Sequence, residues 1–282
     1  MRRMGMDLLL NLSVFYYIGI AIWLSINLLT CRRYSISRLR AGLYTLSFLY
    51  AIAGAMIGGA FNRFMEYRIT GTHTLTLVAI FGGVIFTPIF IVLTVLIEKA
   101  IRRGANTVLV KHSREPLPQV SVRDTLDLLT PGCLVMLALS KVACHFDKCC
   151  YGIPWSWGTY SPYLDTTVFP VQISESLTTF FILVVVVYLM HKPFYRRGMA
   201  YPLAATIYTF CRFGWEFMRY YPPKMRHVFL GLTVWQNCCV AVFAVSVACL
   251  LFLFKKYPSF ETEYPNKKKK RRGNKMTAVR SR

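Results

Sequence analysis

The sequence predicts an all-α polytopic membrane protein with seven transmembrane helices, the N-terminus outside and the C-terminus in the cytoplasm. Three observations carry this. Of 282 residues, 55% are hydrophobic and only 16% charged, where a soluble domain carries about a quarter charged. Several apolar runs reach the ~20 residues that cross a bilayer core as a helix. Lysine and arginine gather on alternate connecting segments.

The runs follow in order. Leu8–Cys31 is uncharged and opens behind Arg2 and Arg3. It is too long for a secretory leader, and Cys31-Arg32-Arg33 makes a poor cleavage site. Ala41–Asn62 is uncharged and carries Gly54, Gly58 and Gly59, a small-xxx-small pattern that lets helices approach closely. Thr74–Ile97 is loosened by Gly82-Gly83 and Pro88. Three runs carry charge: Thr125–Phe146 holds Asp127 and Lys141, Phe169–Met190 holds Glu175, and Gly198–Met218 holds Arg212 and Glu216. Val228–Phe254 is uncharged and closes a seven-span domain over residues 1–254. Residues 255–282 form a basic tail, expected to be cytoplasmic and disordered. Its KKKKRRGNK run lacks interleaved aromatics, so it reads as a topology anchor attracting anionic lipid rather than a nucleic-acid surface.

With seven spans, the segments on the C-terminal side hold 24 Lys and Arg against 8 on the other, and Lys141 and Arg212 within spans complete the 34. The positive-inside rule therefore fixes the orientation. It also fixes depth. Lys141 lies near the outer end of the fourth span, Gln172 and Glu175 near the outer start of the fifth, and Arg212, Glu216 and Arg219 in the outer third of the sixth.

Helical phase sharpens this. Lys141, Cys144, His145 and Lys148 form one stripe, and Arg212, Glu216 and Arg219 another. Ionisable groups inside a membrane are costly and by default mark function. Three polar stripes at one depth would line a cation-rich cavity suited to a lipid phosphate. The competing reading is an ion-pair network that only holds helices together.

The stretch HFDKCCYG, residues 145–152, ends the fourth span. No cysteine pair among the nine has the CxxC…CxxC spacing of a zinc site. Adjacent Cys149 and Cys150 read as packers or as partners in a local disulfide, with Cys144 nearest. A metal or redox site built from His145, Cys149 and Cys150 is the last-placed alternative, since neighbouring cysteines make poor co-ligands.

The segment DLLTPGCLVMLALSKVACHFDKCCYGIPWSWG resembles the signature region of prolipoprotein diacylglyceryl transferases. FPVQISE at 169–175, CRFGWEFMR at 211–219 and GLTVWQ at 231–236 are similar to later motifs of that family. AGAMIGGAF and FGGVIF resemble weaker counterparts in the second and third spans. The resemblance covers residues 45 to 250.

The resemblance implies transfer of the diacylglyceryl group from phosphatidylglycerol to the lipobox cysteine thiol of a prolipoprotein, at the outer leaflet of a bacterial plasma membrane. It implies no metal, no cofactor and no nucleic-acid partner, and a monomer is expected. Arg212 matches a phosphate-binding arginine, Glu216 and Arg219 the rest of that helix motif, Gln172 and Glu175 the polar pair of the fifth span, and Gly152 the glycine closing the signature. On this reading Lys141, Gln172, Arg212, Arg219 and Gly152 bind substrate. Glu175, Glu216 and His145 are the catalytic candidates, His145 as the base. Several positions depart from the pattern. Lys141 stands where the family has arginine and loses its bidentate fork. Thr87 and Pro88 replace a phrase with a proposed catalytic histidine, Phe169 replaces a histidine, and Ser174 a tyrosine. A non-catalytic relative that binds anionic phospholipid or lipoprotein is therefore the alternative.

Overall fold

The structure, a computed structural model, describes residues 2–34, 36–46, 48–70, 80–112, 121–146, 149–221 and 229–259. Lys148 and the basic run 267–272 lie outside them.

The chain folds as α1 (Arg2–Thr30), a 3₁₀ turn (Cys31–Tyr34), α2 (Arg38–Thr45), α3 (Phe48–Thr70), α4 (Ile80–Lys111), α5 (Val122–Phe146), strands β1 (Pro154–Ser161) and β2 (Thr166–Val168), then α6 (Val171–Met190), α7 (Ala200–Glu216) and α8 (Val234–Lys256). Each expected span overlaps a long helix. Among the described residues, α5, α6 and α8 are long and apolar enough to cross a membrane.

Burial is arranged for an apolar solvent. Leu177, Phe181, Val184, Leu251 and Phe252 face outward, whereas Glu175, Lys141, Arg212 and Glu216 are buried. Lipid can solvate the first group but cannot satisfy the second.

Three expectations need correction. The second run does not form one helix from Ala41. Its first residues belong to α2, capped by the Ser37 hydroxyl, which accepts from the Arg40 amide at 3.3 Å. The Tyr44 hydroxyl at the end of α2 accepts from Arg40 Nε at 3.0 Å and meets Glu98. That polar tie fastens α2 to α4. The third run continues past Ile97 to Lys111, because Glu98 pairs with Arg40 at 3.1 Å and Arg102 at 2.9 Å and so keeps the last turns helical.

The third correction concerns the all-α class. The loop after the fourth span is an antiparallel hairpin, with Thr159, Tyr160 and Ser161 opposite Val168, Thr167 and Thr166. PWSWGTYS and TTV are rich in aromatic and β-branched residues, which suit a pleated surface. A search for long apolar runs passes over such short strands.

Helix α5 is the central element. One face joins Leu128 and Leu134 to Ile182, Val186 and Met190 of α6 and to Ala200, Ala204 and Tyr208 of α7. Another packs Leu129 on Trp23 of α1 and on Ile91 and Val95 of α4. Gly132 makes the α1 contact possible, since a Cβ there would stand 1.6 Å from the Trp23 ring.

The same phrase of α5 sets the start of α7. Asp127 is fully buried. Its carboxylate accepts from the Gly198 amide at 2.8 Å and the Ala200 amide at 3.0 Å. The Ala200 amide is one that a helix N-terminus leaves without an intrahelical partner, and Met199 in the capping position supplies no side-chain bond. One turn earlier, Asp124 pairs through two contacts with Arg197. Asp127, flagged from sequence as a charge inside a span, is thus a cross-helix cap that fixes the helix carrying Arg212 and Glu216.

Candidate functional site

Residues from three helices meet at the end of the bundle that carries the hairpin. Glu175, in the second turn of α6, is the hub and is 2% exposed. It takes Lys141 Nζ from α5 at 2.6 Å. Arg219, three residues beyond α7, reaches both its oxygens, with Nη2 at 2.8 and 2.9 Å and Nε at 3.0 Å. Arg212 of α7 pairs with Glu175 and also with Glu216 one turn on. Arg219 Nε stands 3.6 Å from Glu216.

Three cations thus share two carboxylates, and all five side chains are buried. The formal balance is one positive charge in surplus. A buried charge without a counterpart is costly, so the arrangement favours an anion.

Lys148 lies outside the described residues. Of the residues on the expected polar stripes, Lys141, Glu175, Arg212, Glu216 and Arg219 come together. They meet as direct ion pairs rather than as walls of an open cavity. The small cleft beside them is lined by His145, Tyr151, Thr159, Tyr160, Ser161, Val168 and Gln172. His145 therefore lines this cleft together with Gln172. Gln172, in the first turn of α6, ties this helix to the loop after α5, since its side-chain amide donates to the Cys149 carbonyl at 2.6 Å.

Gly152 sits where three chain segments cross. It forms an isolated antiparallel bridge with Arg219. Ile153 donates to the Met218 carbonyl at 3.0 Å and Tyr220 to the Tyr151 carbonyl at 3.2 Å. A Cβ on Gly152 would lie 2.5 Å from the Phe169 oxygen and 2.8 Å from the Met218 oxygen. Only glycine permits this crossing, and the crossing is what turns Arg219 back toward Glu175.

Two further features carried no strong sequence signal. Tyr221 donates from its hydroxyl to Glu216 at 2.6 Å. Burial, then the neighbouring Glu216 charge, pushes this phenol well above its ordinary value, so it stays a neutral donor. Its only signal was a polar tip two residues beyond Arg219.

Phe169, where the resemblance implied histidine, lies at the centre of an aromatic group. It stacks on Trp215 of α7 at 6.2 Å and meets Trp155 and Trp157 of β1 edge-on at 6.0 and 5.9 Å. Trp215 donates to the Thr178 hydroxyl at 3.1 Å. These contacts fasten the hairpin to α6 and α7 beside the ion cluster. Thr87, the other departing position, is buried within α4.

Comparison with known proteins matches residues 11–252 to the family model described as prolipoprotein diacylglyceryl transferase. A curated relative, phosphatidylglycerol–prolipoprotein diacylglyceryl transferase 2 of Streptomyces coelicolor, is 28% identical over 161 residues, 54% of this chain and 48% of the relative. The chain spans about half the length of that relative.

Proposed function

Because the chain belongs to the prolipoprotein diacylglyceryl transferase family, we propose that it moves the diacylglyceryl group of phosphatidylglycerol onto the lipobox cysteine of a prolipoprotein. The observation that carries this is the buried cluster of Lys141, Arg212 and Arg219 around Glu175 and Glu216, with its surplus positive charge.

The transfer is a substitution at a glycerol carbon. A carbon–sulfur bond forms, the carbon–oxygen bond to phosphate breaks, and glycerol phosphate leaves. The thiol must first lose its proton, since thiolate is the nucleophile. The leaving phosphate gathers charge, and fixed cations aimed at it lower the barrier. Arg212 and Arg219 offer planar forks that match phosphate oxygens, and Lys141 adds a point charge. Glu175 and Glu216 hold these cations at their stations, and Tyr221 braces Glu216. His145, in the adjacent cleft with Gln172, is the candidate base for the incoming thiol.

The same proposal includes the membrane arrangement: seven spans over residues 1–254, the ion cluster at the outer leaflet of a bacterial plasma membrane, and residues 255–282 in the cytoplasm. The basic-residue asymmetry of 24 against 8 supports it. Single cysteines introduced between residues 155 and 165 should react with an impermeant maleimide on intact cells, and cysteines in the tail should not. The reverse pattern would turn the cluster toward the inner leaflet and end the reading.

Activity is tested by reconstituting the full chain in vesicles with phosphatidylglycerol labelled in its acyl chains and a lipobox peptide. Label should move to the peptide cysteine, and none should move to a peptide with serine there. The alternative of a lipid-binding relative without transferase activity is favoured by Lys141, Thr87 and Phe169 at departing positions. It predicts lipid retention without labelled peptide.

A further inference from the structure

We propose that Cys144, Cys149 and Cys150 form a three-thiolate binding site for a thiophilic divalent metal ion of the zinc class, beside the cation cluster. Their three sulfurs lie within 4.8 Å of one another, and all three cysteines are free thiols. A zinc–sulfur bond of about 2.3 Å sets sulfur–sulfur separations at roughly 4 Å. Each sulfur then has to move by less than about 1 Å to bind.

Adjacent cysteines in extended chain point to opposite sides, but the backbone at this pair is not extended. Cys150 adopts φ 55°, the left-handed region that residues other than glycine seldom enter. With this backbone its thiol stands within 4.8 Å of those of Cys144 and Cys149. Such strain persists only where surrounding structure enforces it, and it clusters at functional sites. Here the loop is held on both sides. The Cys149 amide donates to the Cys144 carbonyl at 3.1 Å, closing the end of α5. The Cys149 carbonyl accepts from Gln172, and Gly152 is bridged to Arg219 two residues on.

The electrostatics also fit. Binding forms three metal–sulfur bonds and releases three thiol protons to solvent, leaving a complex of net charge −1. The positive charges of Arg219 and Lys141 act on the Cys150 thiol. The cations that would face a lipid phosphate also face this complex, so the two anions are alternative occupants of one positive field. Cys150 is exposed, which gives the ion an entry path, and water can take a fourth position as in open zinc sites.

The test uses the full chain purified in detergent under anaerobic, reducing conditions. Titration with Zn²⁺ or Cd²⁺ should show one equivalent bound, with thiolate-to-cadmium charge-transfer absorption. The bound ion should protect Cys144, Cys149 and Cys150 from maleimide, mapped by mass spectrometry, while exposed Cys249 still reacts. This readout needs no variant and no transferase activity, so it stands or falls apart from the function proposed above. Serine at any of the three should weaken binding by at least the ~10–100-fold that loss of an outer-shell partner costs, whereas Cys238→Ser should bind normally. Sub-stoichiometric binding, equal protection of Cys249, or a disulfide among the three in the anaerobically isolated protein would overturn the proposal.

Discussion

Glu175→Gln is expected to destabilise the protein by about 3–5 kcal/mol, the range for removing one member of a buried ion pair. The change keeps the side chain's volume and removes its charge. Lys141, Arg212 and Arg219 all pair with this carboxylate, whose side chain is 1% exposed. Without it, three cations lie buried around Glu216 alone. Thermal unfolding of the detergent-solubilised chain, followed by tryptophan fluorescence, gives the measurement. Adding Lys141→Met should recover part of the loss, because it removes one of the stranded cations. Coupling in that double-mutant cycle is the expected signature of direct contact. A Glu175→Gln protein as stable as the parent would show that the cations find other partners and that Glu175 is not the hub.

Arg212→Ala is expected to lower the rate of diacylglyceryl transfer by ~10²–10³, the scale seen when one donor to a developing oxyanion is removed. The fold should survive this change better than the loss of Glu175. Glu175 keeps Lys141 and Arg219, and Glu216 keeps Arg219 and the Tyr221 hydroxyl. Arg212→Lys should recover only part of the rate, since an ammonium restores the charge but not the two-pronged contact with phosphate. The readout is the initial rate of label transfer at saturating peptide, with thermal unfolding as the control. A folded Arg212→Ala protein with unchanged transfer would mean that the network only holds helices together.

Much of this was legible before any fold was known. Hydropathy marked the long helices because a bilayer demands about 20 apolar residues per crossing. Charges inside such runs stood out because the membrane makes them expensive, and helix rise placed Lys141, Glu175 and Arg212 at one depth. Helical phase put Arg212 and Glu216 on one stripe, where they do pair, whereas Arg219 lies past the end of α7 and reaches Glu175 through the Gly152 crossing rather than through helical phase. The hairpin was missed because strand signals are short and need a partner strand to be decisive. Asp127 was visible as an intramembrane charge, but its use as a cap for α7 depends on where the Gly198 and Ala200 amides arrive.

The sequence by itself determined the apolar segments, the charge asymmetry and which ionisable residues share a helical face. These follow from local geometry, since a period of 3.6 residues fixes the direction of each side chain from its own helix. Only the tertiary structure decided that Glu175 serves three cations at once, that Gly152 pins Arg219 against it, and that a left-handed turn at Cys150 gathers three thiols. Such pairings depend on how distant helices pack and on single backbone angles in the loops between them, and neither is encoded in the periodicity of any one segment.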